Sequence, residues 1–360
     1  MMKNRKDVPP MKEKMKDLKQ AAVSKYEQIK IDLKNPIKRA VLSKKIADRS
    51  SSILRGFIIF GLSFIILFPL FRQITLALRH PTDLNNPLII WIPEQFSLLN
   101  FEISINILRY WKALWNNVQV STIVMFLQIA STALAGYAFA RLRFKGSNLI
   151  FWLVMLTLIV PPQTLSVSRM LYFKNFDILG IISLLNNGEP INLLGKISTL
   201  YLMAGLGMGI RSALFIYIFR QFFRGIPTEL DESAQIDGAG VFRTFWNVML
   251  PNARGAMLTV GLFAFVWQWN DVYFSRILAV STSSFPLLTM QLANTSERLL
   301  HYLVFSGMEM LVGPDMRRNP LFVSLISNTS AFLMMLPVLI AYLFVQKYFV
   351  EGIERTGIVG

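Results

Sequence analysis

Cysteine is absent from the 360 residues, and histidine occurs only twice, as His80 and His301. The first absence excludes disulfides and thiol chemistry, and together they leave no His/Cys cluster with metal-ligand spacing. A phosphate-cradling P-loop is missing too: Gly195-Lys196 is followed by Ile197, where that motif needs Ser or Thr. The first fifty residues hold no apolar stretch of signal-peptide length, so no cleaved secretory signal is expected there. No long internal repeat is visible. The two halves of the apolar segment set do not read as copies, which counts against the inverted repeats of secondary transporters.

What is abundant is apolar surface. Hydrophobic residues make up 53% of the chain, and the mean hydropathy is +0.46. Several segments approach the roughly 20 apolar residues that cross a hydrocarbon core of about 30 Å. Val118 to Ala140, Leu149 to Ser168 and Leu321 to Val345 contain no ionisable group. Ile53 to Leu78 carries Arg72, Ile197 to Phe219 carries Arg211, and Ala256 to Val280 carries Asp271 and Arg276. Long unbroken runs rather than alternating ones predict helices, not barrel strands. The expectation is an all-α membrane protein with six transmembrane helices.

Lys and Arg outnumber Asp and Glu by 37 to 21, a formal net charge of +16. Their distribution follows the positive-inside rule with the N-terminus in the cytoplasm. Residues 1–50 are rich in Lys, Arg141, Arg143 and Lys145 follow the second span, and Arg220, Arg224, Arg243 and Arg254 follow the fourth. The opposite connections, 79–117, 170–196 and 281–320, are longer and mixed in sign. An even span count returns the C-terminus to the cytoplasm. The basicity is therefore topological, and no nucleic-acid partner is expected. Expected boundaries are a basic cytoplasmic extension over 1–50, a six-span membrane domain over 51–350 and a cytoplasmic tail over 351–360. Met11 to Lys30 alternates Lys with acids and reads as a solvated helix or a basic tail held near anionic lipid.

Between the fourth and fifth spans stands ELDESAQIDGAGVFRTFWNVMLP, residues 229–251. Thr228 is placed as N-cap of a first helix with Asp231 in capping-box spacing. Leu230, Ser233, Ala234 and Asp237 share one face of that helix. Gly238 and Gly240 permit the positive φ that ends it. Val241, Phe245 and Val248, with Phe242, Trp246 and Met249, give a second helix an aromatic face, and Pro251 is expected to stop it. Such a segment over 227–251 either lies on lipid as an interfacial helix or presents two helices to a soluble partner.

The spacing resembles the cytoplasmic signature of ABC importer permeases: Glu-Ala-Ala, three residues, Gly, nine residues, Ile, one residue, Leu-Pro. Glu232, Ser233 and Ala234 stand at the first positions, Gly238 at the Gly, Val248 at the Ile, and Leu250-Pro251 at the end. The longer form of the carbohydrate subgroup matches at Asp231, Glu232, Ala234, Ile236-Asp237-Gly238-Ala239 and Phe245-Trp246. Further pieces resemble the maltose-type permeases: Gly136 to Arg141 (GYAFAR), Pro161-Pro162-Gln163, Phe219 to Phe223, Trp269-Asn270-Asp271, and Gln346 to Gly352. The resemblance covers roughly 115–360.

It implies an ABC type I importer permease fold whose 227–251 segment is a cytoplasmic pair of coupling helices. It also implies a bacterial cytoplasmic-membrane complex with a second homologous permease, two ABC ATPase subunits and an extracytoplasmic sugar-binding protein. No cofactor is expected on this chain, since ATP and Mg would be handled by the ATPase. On the same analogy, Glu232 and Asp237 contact basic groups of the ATPase, while Phe242, Phe245 and Trp246 fill its groove. Lys347, Glu351 and Gly352 are further contact candidates in the tail, unless Lys347 and Tyr348 simply snorkel to the interface. Loop 281–320, with Phe285-Pro286-Leu287 and the charged stretch Glu309 to Arg318, is expected to help dock the binding protein.

Candidate substrate-path residues are Arg211, Trp267, Trp269, Asn270 and Asp271, because ionisable groups at membrane depth usually face a cavity or a partner. The alternatives are that the Trp rings are interface anchors and that Arg211 and Asp271 pair across helices. The resemblance also implies that the other permease holds much of the sugar. Two rival functions stay open from the residues alone: an ion-coupled secondary transporter using Asp271, and a non-transporting membrane scaffold.

Overall fold

The computed structural model describes residues 36–85, 92–307 and 319–357, except the side chains of 348–357 and a few near the start. Residues 1–35, the charged stretch 309–318, and the side chains of Glu351 and Gly352 lie outside the described residues. The chain divides into two units, Met1–Phe71 and Arg72–Gly360. Among the described residues no β-strand occurs, only the isolated bridges Arg79 to Phe96 and Phe176 to Ile191.

Helix α1, Pro36–Ala77, occupies the described part of the first unit and ends in the second. A proline at its start costs nothing, since the first N–H groups of a helix have no internal partner. It runs through the expected boundary at residue 50 without a break, and Ser43–Ala77 is long and apolar enough to span a bilayer. Ile53, Phe57, Ile58, Phe60 and Ile65 are exposed along it.

The second unit is organised on α3. Helix α2, Leu99–Leu108, leads into α3, Tyr110–Arg141, through a left-handed turn at Arg109 (φ 48°). The buried face of α3 runs through Ala113, Asn117, Val120, Val124, Gln128, Thr132 and Gly136, a 3–4 residue recurrence that marks one side of a helix. Three of the helix's buried amides are paired. Asn116 donates to the Pro286 carbonyl at 2.9 Å, Asn117 donates to that of Trp269 at 3.2 Å, and Gln128 donates to that of Ile210 at 2.9 Å. Unpaired, each would carry a desolvation penalty, most of all in a membrane.

The third expected span is divided. Helix α4, Ser147–Ile159, is followed by Pro161-Pro162, which cannot continue it. After a 3-10 turn, α5, Ser166–Lys174, leaves at 100° to α4. A short helix α6, Ile181–Leu185, lies in the loop beyond. The fourth expected span is also interrupted. Helix α7, Ser198–Gly205, is separated from α8, Ser212–Gly225, by a break containing Gly207 (φ 70°) and Arg211 (φ 54°).

Helices α9, Thr228–Ile236, and α10, Val241–Asn252, form the surface pair, and α11, Arg254–Trp269, turns 80° away from α10. The expected fifth span, 256–280, stops short: α11 ends at Trp269 and the separate α12 is Tyr273–Ile277. Helices α13, Leu288–Ala293, and α14, Thr295–Ser306, lie in loop 281–320. Helix α15, Pro320–Gly357, carries the last expected span and continues into the expected tail without interruption. Among the described residues, 3 helices qualify as crossings by length and composition, or up to 5 if each bent pair, α4 with α5 and α10 with α11, is one span. The remaining expected crossing is the one divided between α7 and α8.

One core cluster gathers Ala133, Tyr137, Phe215, Phe219, Phe223, Phe245, Met249 and Val260, from α3, α8, α10 and α11. This cluster supports the surface pair.

Candidate coupling segment and intramembrane polar groups

The chain enters the segment at Ile226 and Pro227, where α8 has ended and the backbone is extended. Pro227, not Thr228, is the residue before α9, and no side chain caps the helix. The Asp231 carboxylate expected in the capping box is instead turned inward. Its Oδ2 lies 3.1 Å from Nε of Arg141, with side-chain exposures of 12% and 10%. Arg141 also donates through Nη2 to the Ile226 carbonyl. The ion pair draws the carboxylate away from the helix terminus.

Burial sorts the signature residues into two faces. Asp231 and Ala234 point into the protein, while Glu232, Ser233, Asp237 and Gly238 are exposed. Gly238 has φ 77°, and the Ala239 N–H reaches back to the Ala234 carbonyl at 2.9 Å. A side chain at 238 would strain this left-handed turn whatever space surrounds it.

The second helix divides differently from expectation. Phe245–Met249 is a π-turn, and the wider turn keeps Phe245 and Met249 inward while Phe242 and Trp246 face out. Phe245 is 4% exposed and packs 5.1 Å from Tyr137 and 6.3 Å from Phe223. It belongs to the protein's own core and is not a plug for a partner's groove. Phe242 and Trp246 are 75% and 65% exposed, with Ile236 and Val241 also exposed. Leu250 packs partly against the core cluster. Pro251 lies in the last turn of α10, one residue before its end at Asn252. The chain turns at Ala253.

Beside the segment, Arg220 lies with its guanidinium 3.9 Å above the Phe151 ring and donates to the Phe139 carbonyl at 3.4 Å. The sequence reading gives Arg141 and Arg220 only topological roles. The terminal Arg of the GYAFAR piece and the Asp of the longer signature mark the two partners in the sequence, but nothing there pairs them.

The substrate-path candidates are not brought into one constellation. Asp271 is buried and acts as a helix cap: Oδ1 accepts from the Phe274 N–H at 3.0 Å, and Oδ2 accepts from the Ser275 N–H at 2.9 Å and hydroxyl at 2.8 Å. Arg211 does not pair with it but lies over the Trp267 ring at 5.1 Å, which is also stacked on Phe215 and Phe263. Trp269 is 1% exposed and donates to the Met334 carbonyl at 3.3 Å, so it is a core residue and not an interface anchor. Asn270 is exposed and donates to the Val266 carbonyl at 2.9 Å, closing the end of α11. In the tail, Lys347 is exposed on α15.

Long apolar helices and an outward-facing helix pair define a polytopic membrane protein built to engage another chain. Residues 132–355 match the family of binding-protein-dependent transport system inner membrane components. The chain belongs to that family. It is 25% identical over 302 residues to the arabinooligosaccharides transport system permease protein AraQ of Halalkalibacterium halodurans, covering 83% of this chain and 93% of the relative. It is 30% identical over 226 residues to the sn-glycerol-3-phosphate transport system permease protein UgpE of Yersinia enterocolitica, covering 61% and 73%. The crystal structure of a bacterial ABC transporter involved in the import of the acidic polysaccharide alginate has a chain of the same fold. It superposes with a TM-score of 0.61 at 18% identity, covering 84% of this chain and 98% of that one.

Proposed function

We propose that the chain is one of two homologous permease subunits of an ATP-driven importer whose substrate is an oligosaccharide or another carbohydrate. The carbohydrate class rests on the arabinooligosaccharide relative, which is matched over most of both chains. ATP and Mg are bound and hydrolysed by two ATPase subunits, an extracytoplasmic binding protein delivers the sugar, and both termini of this chain lie in the cytoplasm. In this reading the six expected spans all cross the membrane, three of them as broken helices. Residues before the first span form a basic extension, the tail after 350 with Lys347, Glu351 and Gly352 adds a secondary contact to the ATPase, and loop 281–320 meets the binding protein.

The observation that carries the reading is the outward face of α9 and α10. Ile236, Phe242 and Trp246 are exposed beside Glu232 and Asp237, on helices whose inner face is fixed by Asp231, Ala234, Phe245 and Met249. An exposed aromatic pair on a rigid base has the composition of a binding hot spot. The rim acids contribute register more than affinity, since exposed ion pairs are worth about 0–1 kcal/mol. The test is purification of the tagged chain in mild detergent. Retention of an ATPase and a second permease supports the reading, and Phe242→Ala with Trp246→Ala should release the ATPase alone. A chain that purifies without an ATPase contradicts it.

A further inference from the structure

Helix α9 has nine residues, and only Asp231 and Ala234 of them are buried. Its two buried side chains are therefore one methyl group and one carboxylate. That carboxylate meets Arg141, the last residue of α3, at 3.1 Å. The same guanidinium donates to the carbonyl of Ile226, the residue between α8 and α9. One side chain thus holds both the entry to α9 and its inner face.

Arg141 is itself firmly placed. One turn back, Gly136 touches Phe219 of α8, and Tyr137 packs against Phe223 and Phe245. A guanidinium is suited to this duty because its rigid plane lets Nη2 donate to the Ile226 carbonyl while Nε stays 3.1 Å from the Asp231 carboxylate as a charge contact, which a lysine ammonium cannot reproduce. Low exposure of both partners limits screening by water and salt.

We propose that Arg141 and Asp231 are positioning residues for transport: their ion pair makes α9 move as one body with α3, so that displacement imposed on α9 by a partner is transmitted into the membrane. The inference rests on α9 and α10 being the ATPase-facing segment. It adds that the inward acid of the signature transmits the motion, whereas the outward acids meet the partner.

The chain lacks cysteine, so paired labels can be introduced directly. Spin labels at Leu134→Cys on α3 and Gln235→Cys on α9, both exposed positions, report the distance between the two helices. In the otherwise unsubstituted chain, one narrow distance distribution is expected, unchanged when the complex is trapped with ATP and vanadate. D231N and R141Q should broaden it, with at least a tenfold fall in uptake per ATP hydrolysed. R141E combined with D231R should narrow it again and recover part of that ratio, which a role in bulk stability would not predict.

The proposal is overturned if D231N keeps both the narrow distribution and the ratio. It is also overturned if D231N is lost from the membrane, since the pair would then serve folding alone. Retention of an ATPase is scored on the same samples. If the unsubstituted chain retains none, the docking reading fails, while the distance in the chain alone still tests the tie.

Discussion

A Cβ placed on Gly136 would lie 2.5 Å from the Cβ of Phe219 and 3.0 Å from the backbone nitrogen of Arg220. Helices α3 and α8 therefore touch backbone to backbone at the inner end of the core, and only glycine fits there. Small residues at such crossings are how membrane helices gain close packing where no hydrophobic effect drives them together. Gly136→Ala should lower the stability of the detergent-solubilised protein by about 1–3 kcal/mol through overpacking. Gly205→Ala is the control, since its nearest neighbour is a side-chain atom at 3.9 Å. Thermal unfolding followed by size-exclusion fluorescence compares the two, and equal melting temperatures would refute the crossing.

Phe245 and Trp246 are adjacent in sequence but opposite in role. Phe245→Ala empties a buried site and should cost about 3–5 kcal/mol, reducing the amount of folded protein in the membrane. Trp246→Ala, alone or with Phe242→Ala, should leave thermal stability unchanged and weaken ATPase retention at least tenfold. Quantifying folded permease and bound ATPase in one pull-down separates the two effects.

Asp271 supplies three hydrogen bonds at the start of α12. Asp271→Ala should cost about 0.5–2 kcal/mol as the loss of a helix cap, with Asp271→Asn closer to the parent. Asn270→Ala, at an exposed position, should be nearly neutral. The measurement is a melting series in detergent, paired with substrate concentration dependence of uptake. A large rise in half-saturation without loss of stability would assign Asp271 to the substrate path instead.

Much of this was legible in the sequence. The charge-free runs place the apolar helices, and Pro161-Pro162 marks the break between α4 and α5. Gly238 fixes the left-handed turn between α9 and α10. What was not legible depends on tertiary contact. Helical periodicity put Phe242, Phe245 and Trp246 together, but the π-turn and the Tyr137–Phe223 pocket assign Phe245 inward. Capping-box spacing put Asp231 at a helix terminus, but an arginine ninety residues earlier in the sequence claims its carboxylate. The break between α7 and α8 has Gly207 at φ 70° to announce it, but nothing in the sequence announces the left-handed backbone at Arg211.

Glu232 and Gly238 lie on the outer face of the helix pair and have no part in the core. Double substitution Glu232→Ala with Gly238→Val should spare insertion while disabling coupling. The most direct test is accumulation of labelled oligosaccharide by liposomes holding the purified complex, supplied with its loaded binding protein and ATP on the cytoplasmic face. The account predicts uptake that requires both ATP and the binding protein and falls at least tenfold in the double variant. Uptake driven by a proton or sodium gradient without ATP, or undiminished in that variant, would contradict it.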